Sequence, residues 1–321
     1  MSNTKKSILL IDGNALMHRS YHGIAKGFMP ILDGKPVGMV YGFTATLLNA
    51  IEYFHPHVMA VTFDTKEKTF RHEMDEAYKA QREKAPDDFY SQIPLVYEML
   101  EAFHIPTLTQ PGYESDDLIG TIAKEGESKN YDIRILSGDL DFLQLVSDHV
   151  QLVKFNGKIE NSVFYGPKET EARLGVKVDQ VVDYKAIIGD SSDNYKGIPG
   201  VGPKGAEKLL HEYKSLEGIY DHLQDLQPKL REKFETNQDY VFHCRKLAQL
   251  HFDVPHDFTF DSEFVLVPDT SSAFLEKMKF PSLISRYNRL LRDYEKPRKE
   301  NLGETKLQKK LGGHDEQMSL F

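Results

Sequence analysis

Cysteine is almost absent from this chain of 321 residues, and Cys244, its single example, has no second thiol to pair with. Disulfide stapling within the chain is excluded, which fits a reducing cytoplasm. The length allows one large domain or two ordinary ones with a core that needs no covalent help. Long apolar runs are missing as well. Ile8 to Ile11 is too short for a signal peptide or a membrane span, and no later stretch reaches the roughly 20 residues that a span requires. A soluble, cytoplasmic chain with no membrane partner is expected. Basic residues are also in deficit: 40 Lys and Arg stand against 49 Asp and Glu, a net charge of -9. Such a balance argues at first against a nucleic-acid partner.

The acidic excess is not spread evenly. Nine carboxylates fall in five short runs: Asp12 in ILLIDGN, Asp64 in AVTFDT, Glu114, Asp116 and Asp117 in GYESDDL, Asp139 and Asp141 in ILSGDLDF, and Asp190 and Asp193 in GDSSDN. Setting these nine aside leaves 40 acidic residues, equal to the basic ones, so the remaining surface is neutral on average and has room for basic patches. Like charges gathered in one place repel and raise one another's pKa unless cations neutralise them, so a cluster of this kind implies bound metal. Histidine and cysteine are missing from all five runs. Oxygen-only ligands select hard ions, Mg²⁺ or Mn²⁺, over zinc. Two-metal phosphoryl chemistry is the expectation.

The apolar runs SILLID, VMAVTFD and DIRILSGD alternate with helix-length segments such as VYGFTATLLNAIEYF and DDLIGTIAKEGESK. That alternation predicts an α/β fold with a parallel sheet flanked by helices. In such a sheet the ligand site lies outside the carboxyl ends of the strands, where Asp12, Asp64 and Asp139 fall. Glu114, Asp116 and Asp117 open the next helix, with Ser115 as the expected N-cap; capping alone would account for some of these acids, but three in four positions exceed it. Asp190 and Asp193 are expected on one face of a helical turn, with a solvated loop as the alternative.

Residues 65–89, rich in both charges with interleaved aromatics, read either as a solvated helix or as one wall of a channel for a single strand. In the second reading Arg71, Lys79 and Arg82 meet phosphates and Tyr78 stacks on a base. Asn156-Gly157 between two strand-like runs predicts a hairpin. From about residue 184 the pattern is helical, and DNYKGIPGVGPKGAEKLL opens it. Gly200, Gly202 and Gly205 match GxGxxG in form, yet a dinucleotide fingerprint should follow a strand. A helix-hairpin-helix is the better reading: a tight turn and the next helix's N-terminus, from Gly197 and Ile198 through Val201 to Lys204, grip phosphate without reading bases. Residues 295–321 are polar and expected to form a flexible tail. Its final Gln317, Met318, Ser319, Leu320 and Phe321 restore apolar character and read as a tethered docking peptide.

The segments LLIDGNALMHRSYHGI, VTFDT, FRHEMDEAYKAQR, GYESDDLIGTIA, RILSGDLDFLQLV and YKAIIGDSSDNYKGIPGVGPKGAEKLL, in this order, resemble the 5′ nuclease domain of bacterial DNA polymerase I and the related flap endonucleases, over roughly residues 5 to 292. The resemblance implies a PIN-like catalytic domain over 1–183 with a helical arch near 65–92, then a helix-hairpin-helix (H3TH) lobe over 184–294. It also implies one metal on the residues matching Asp12, Asp64, Glu114 and Asp116 with Asp117 nearby, and a second on those matching Asp139, Asp141, Asp190 and Asp193. Arg19, Tyr78, Lys79 and Arg82 match positions that contact the scissile phosphate or the threaded strand, and the hairpin of this family also takes K⁺. The implied activity is a 5′-3′ exonuclease or 5′ flap endonuclease acting on DNA, with RNA primers as a further substrate class, in a monomer at the nucleoid. The pentapeptide QMSLF resembles the bacterial sliding-clamp binding motif, which makes a stand-alone nuclease recruited by the clamp the expectation. A non-catalytic branched-DNA-binding module and a PIN-like ribonuclease are the alternatives. A haloacid-dehalogenase-type phosphatase needs an aspartate two residues after Asp12, where Asn14 stands.

Overall fold

The computed structural model describes residues 6–23 and 30–294. A sheet of six strands lies at its centre, in the spatial order Thr107–Leu108, Val58–Thr62, Ser7–Asp12, Asp132–Leu136, Val150–Asn156, Lys158–Tyr165. All neighbouring pairs are parallel except the last, the hairpin that turns at Gly157 where the sequence placed it. Strand side chains alternate between the faces with period 2. Leu9, Ile11, Met59 and Val61 therefore join one core, with the helices Gly38–Phe54 and Asp87–Ala102, while Ile8, Leu10, Ala60, Ile133 and Ile135 join the other, under the helix Ser115–Ser128.

The chain builds outward from Ser7–Asp12 in one direction and then in the other. Helices leave to opposite sides at this strand, and a crevice opens beyond its carboxyl end, the general ligand position of such sheets. Asp12, paired in register with Thr62, ends the strand at that crevice.

A third core gathers residues from Val176 to Ala248, with Tyr78 packed into it from the segment after Asp64, and belongs to the helical lobe. It moves the expected boundaries at both ends. The lobe gathers from Val176 rather than 184, and beyond Ala248 the chain leaves it: Leu250, Val254, Phe258 and Phe260 pack under the sheet. Phe274, Leu283, Tyr287 and Leu290, from the helices Pro268–Lys277 and Pro281–Tyr294, pack on the opposite face. The sequence pattern beyond about 184 reads as helical, yet residues 249–267 form no helix; the apolar faces of the last two helices fit a sheet as well as another helix, so only packing decides which core they enter. Residues 65–92 likewise form no long arch. They comprise a short helix, Phe70–Met74, then turns, then the start of Asp87–Ala102.

Candidate metal centre and nucleic-acid interface

At the crevice the five acidic runs converge. Asp12 is buried, its two oxygens accepting from Ala15 N at 2.9 Å and Ser137 Oγ at 2.7 Å. Asp64, two residues past its strand, is exposed and oriented by Asn14 Nδ2 at 2.8 Å and Ser115 N at 2.8 Å. The helix cap falls on Glu114 rather than Ser115: Glu114 has extended backbone, and Asp117 closes a capping box with it. Asp139 accepts from Asp141 N at 2.8 Å. Asp190 and Asp193 lie in a tight turn closed by the bridge between Asp190 and Tyr195, not in a helical turn. Carboxylate oxygens of Asp141, Asp190 and Asp193 all come within 4.8 Å of one another.

Their titration reports the crowding. Burial, then the charges of Asp12 and Asp139, push Asp116 well above the usual carboxylate range. Burial and Asp139 push Asp141 up to about 7, although Lys185 pulls it down. Burial also raises Asp12 and Asp193. Asp190 goes the other way: burial opposes its charge, but Lys185 and Ser192 outweigh it.

Three cations face this set besides Arg71, which is shared between Glu114 and Asp117. Lys79 Nζ lies 2.8 Å from Glu114 and 4.0 Å from Asp193, Arg82 Nη2 lies 3.0 Å from Asp193, and Lys185 Nζ bridges Asp141 and Asp190. Lys79 and Lys185 are held above the ordinary lysine range by these carboxylates, against the cost of burial. Asp12, Asp64, Glu114, Asp116, Asp139, Asp141, Asp190 and Asp193 outnumber these cations by more than two to one, and all their donors are oxygen. The residues therefore fit hard divalent ions, which would supply the missing positive charge.

Asp117 stands apart from the ligand set. It is fully buried and accepts from Arg71 at 2.7 and 2.8 Å, from His251 N at 2.9 Å and from Glu114 N at 3.2 Å. Arg71 is only 1% exposed, so it is not on a channel wall and offers nothing to a strand. Tyr78, 3% exposed, presents no face for stacking; its hydroxyl donates toward Glu114 at 3.1 Å and Asp193 at 3.2 Å. A run rich in both charges reads the same whether solvated or buried, because burial depends on carboxylates distant in sequence. Arg82 and Arg19 remain exposed, Arg19 with its guanidinium 4.6 Å from the centre of the Phe155 ring.

Lys185, Ser137 and Asn14 were not singled out as site residues from sequence. Lys185 had a signal, a lone cation in the apolar helix Val181–Ile188 five residues before Asp190. Ser137 and Asn14 are visible only through the long-range contacts they make.

The hairpin follows a helix rather than a strand, so the dinucleotide alternative falls away. Ile198 and Val201 are buried in the lobe core and hold the turn from within. Gly197 is buried too, whereas Gly200, Gly202, Lys204 and Gly205 are exposed around the N-terminus of the helix Pro203–Tyr213. Gln317 to Phe321 lie outside the described residues.

Sheet, crevice and lobe define an α/β protein with an oxygen-only acidic centre beside a helical hairpin. The chain belongs to the 5′-3′ exonuclease family: the model of the N-terminal resolvase-like domain matches residues 7–175 and that of the C-terminal SAM fold residues 176–270. It is 37% identical over 286 residues to the thermostable DNA polymerase I of Thermus thermophilus, covering 89% of this chain and 34% of that protein. To DNA polymerase I of Bacillus subtilis it is 35% identical over 255 residues, covering 78% of this chain and 28% of that protein. The chain spans about a third of the length of the first curated relatives it matches. Among solved structures, the T5 5′-exonuclease with bound divalent metal ions (zinc) aligns with a TM-score of 0.65 at 20% identity, covering 90% of this chain and 99% of that one. The catalytic core of Rad2 in complex with DNA substrate aligns at 0.59 and 19%, covering 90% and 93%. The shared fold is a PIN-like sheet with a helical lobe.

Among the described residues no helix is long and apolar enough to cross a membrane.

Proposed function

We propose that this chain is a metal-dependent 5′ nuclease that hydrolyses DNA phosphodiesters at 5′ ends and 5′ flaps in replication and repair, with RNA primers as a further substrate. The observation that carries the reading is the meeting of carboxylates from separate strand ends beside two cations, Lys79 and Arg82, and a hairpin whose Gly200, Gly202 and Lys204 are exposed. The hydrolysis adds water to phosphorus and breaks the bond to the 3′ oxygen. Two Mg²⁺ or Mn²⁺ ions held by Asp12, Asp64, Glu114 and Asp116, and by Asp139, Asp141, Asp190 and Asp193, would supply Lewis-acid stabilisation of both oxygens. Lys79 leaves Glu114 for the incoming phosphate and offsets the charge that develops on it. Arg82, half-exposed, meets the strand on its way in. Gly200, Gly202, Lys204 and Gly205 hold duplex phosphates without reading sequence, and K⁺ at the hairpin would add to that grip. The protein acts as a monomer at the nucleoid.

A 5′-labelled DNA flap in Mg²⁺ tests this. Wild type is expected to cut near the junction and to lose activity with chelator. Lys79→Met should lower the rate by roughly 10²-fold while DNA affinity holds. Binding without any cutting by wild type would favour the branched-DNA-binding module, and preference for an RNA flap the ribonuclease.

The sliding clamp is the proposed partner, on the likeness of QMSLF to its binding motif. Removing residues 317–321 is expected to abolish clamp binding in a pull-down or by surface plasmon resonance and to leave flap cleavage unchanged, because tethering raises local concentration and adds no contact at the site. Clamp affinity equal to wild type would refute the assignment.

A further inference from the structure

We infer that Arg71 is a positioning residue: it fixes the helical lobe against the acidic centre and thereby selects which phosphodiester is cut. This rests on the nuclease reading above. The guanidinium joins three segments that are far apart in sequence. Nη1 and Nη2 donate to both oxygens of Asp117 in a fork at 2.7 and 2.8 Å, and Nη1 also lies 3.4 Å from Glu114 Oε2. Nε donates to Leu247 O at 2.9 Å and Nη2 to Gln249 O at 2.8 Å, where the helix Gln238–Ala248 ends and the chain leaves the lobe. The partial negative charge of a helix C-terminus favours a cation there. Asp117 reaches the same exit from its other side through His251 N at 2.9 Å.

Gln144, in the short helix that begins at Asp141, braces this exit in parallel. It donates to Ala248 O at 3.1 Å and accepts from Leu250 N at 3.0 Å. The strip from Leu247 to His251 is thus fastened beside two of the acidic runs. A buried ion pair is a poor source of net stability, since apolar residues of similar volume often do as well, so its value here is geometric. The lobe grips duplex phosphates and the crevice cuts, so the angle between them sets the distance from grip to cut. Lysine cannot replace the fork, because it is a point charge without paired planar donors.

The test uses the full chain, a 5′-labelled flap in Mg²⁺, and spin labels on Lys208→Cys and Glu101→Cys, both exposed, with native Cys244 buried. In Arg71→Lys, cleavage at the wild-type position should fall roughly 10²-fold, the scale of an ångström of misplacement. Cuts should spread to neighbouring phosphodiesters, and the interlabel distance distribution should broaden. The double variant Arg71→Met with Asp117→Leu removes both buried charges and should be more stable to heat than Arg71→Met alone, while the spread of cuts persists, which separates positioning from folding. A single sharp product at the wild-type position, or an unchanged distance distribution, would overturn the inference. If wild type does not cut, the nuclease reading fails instead, and the distance distribution alone decides the role of Arg71.

Discussion

Asp139→Asn combined with Asp141→Asn is expected to reduce flap cleavage by at least roughly 10³-fold, the cost of removing charge stabilisation from a transition state, while the protein stays folded and still binds DNA. Asparagine keeps the shape of each side chain, and its oxygen can still accept the hydrogen bond that Asp139 takes from Asp141 N at 2.8 Å. Two negative charges disappear from a place where burial and repulsion already hold Asp141 up at about 7. Metal binding therefore loses, while the buried Lys185 keeps Asp190 as a partner at 2.9 Å. With divalent ions chelated, affinity for a flap should match or exceed that of wild type, since fewer carboxylates repel the phosphates. Rapid-quench cleavage and fluorescence anisotropy measure the two quantities side by side. Retained cleavage in the double variant would show that the crevice is not the site of chemistry.

Gly197→Ala is expected to weaken the helical lobe by about 3 kcal/mol, the upper end for a strained backbone position, and DNA affinity with it. Gly197 has φ +62, and a Cβ there would lie 2.4 Å from Ile187 O and 2.5 Å from Gly189 N. Both are backbone atoms, so no rotamer change relieves the contact. The same turn is closed by Ile198 N donating to Ile187 O at 2.8 Å, and the clash would prise open that bond. Gly202 is the control. A Cβ there meets nothing within 4 Å, so Gly202→Ala should stay within about 0.5 kcal/mol of wild type, whatever it does to phosphate contact. Urea melts followed by far-UV circular dichroism would distinguish them. Equal stability of the two variants would mean that the turn tolerates a side chain where its geometry says otherwise.

Five of the six strands, the hairpin at Asn156-Gly157, the helix-hairpin-helix and eight of the nine clustered carboxylates were legible in the sequence. Each of these rests on local rules: period 2 in a strand, turn residues at fixed offsets, and a parallel sheet that puts its ligand site at the carboxyl ends. Ile8 to Asp12 needed no knowledge of Asp139 to announce a buried strand ending in a carboxylate.

Contacts distant in sequence set which charges are free and which are paired. Arg71 and Arg82 stand eleven residues apart in the same charged run. One is buried against Asp117 and the other is exposed, because the partner that buries Arg71 lies 46 residues away. Lys185 became a site residue through Asp141, 44 residues before it. The return of the helices Pro268–Lys277 and Pro281–Tyr294 to the sheet was undecided for a related reason. An amphipathic helix specifies that it will bury a face, and the surface that receives it is chosen by the packing of the whole chain.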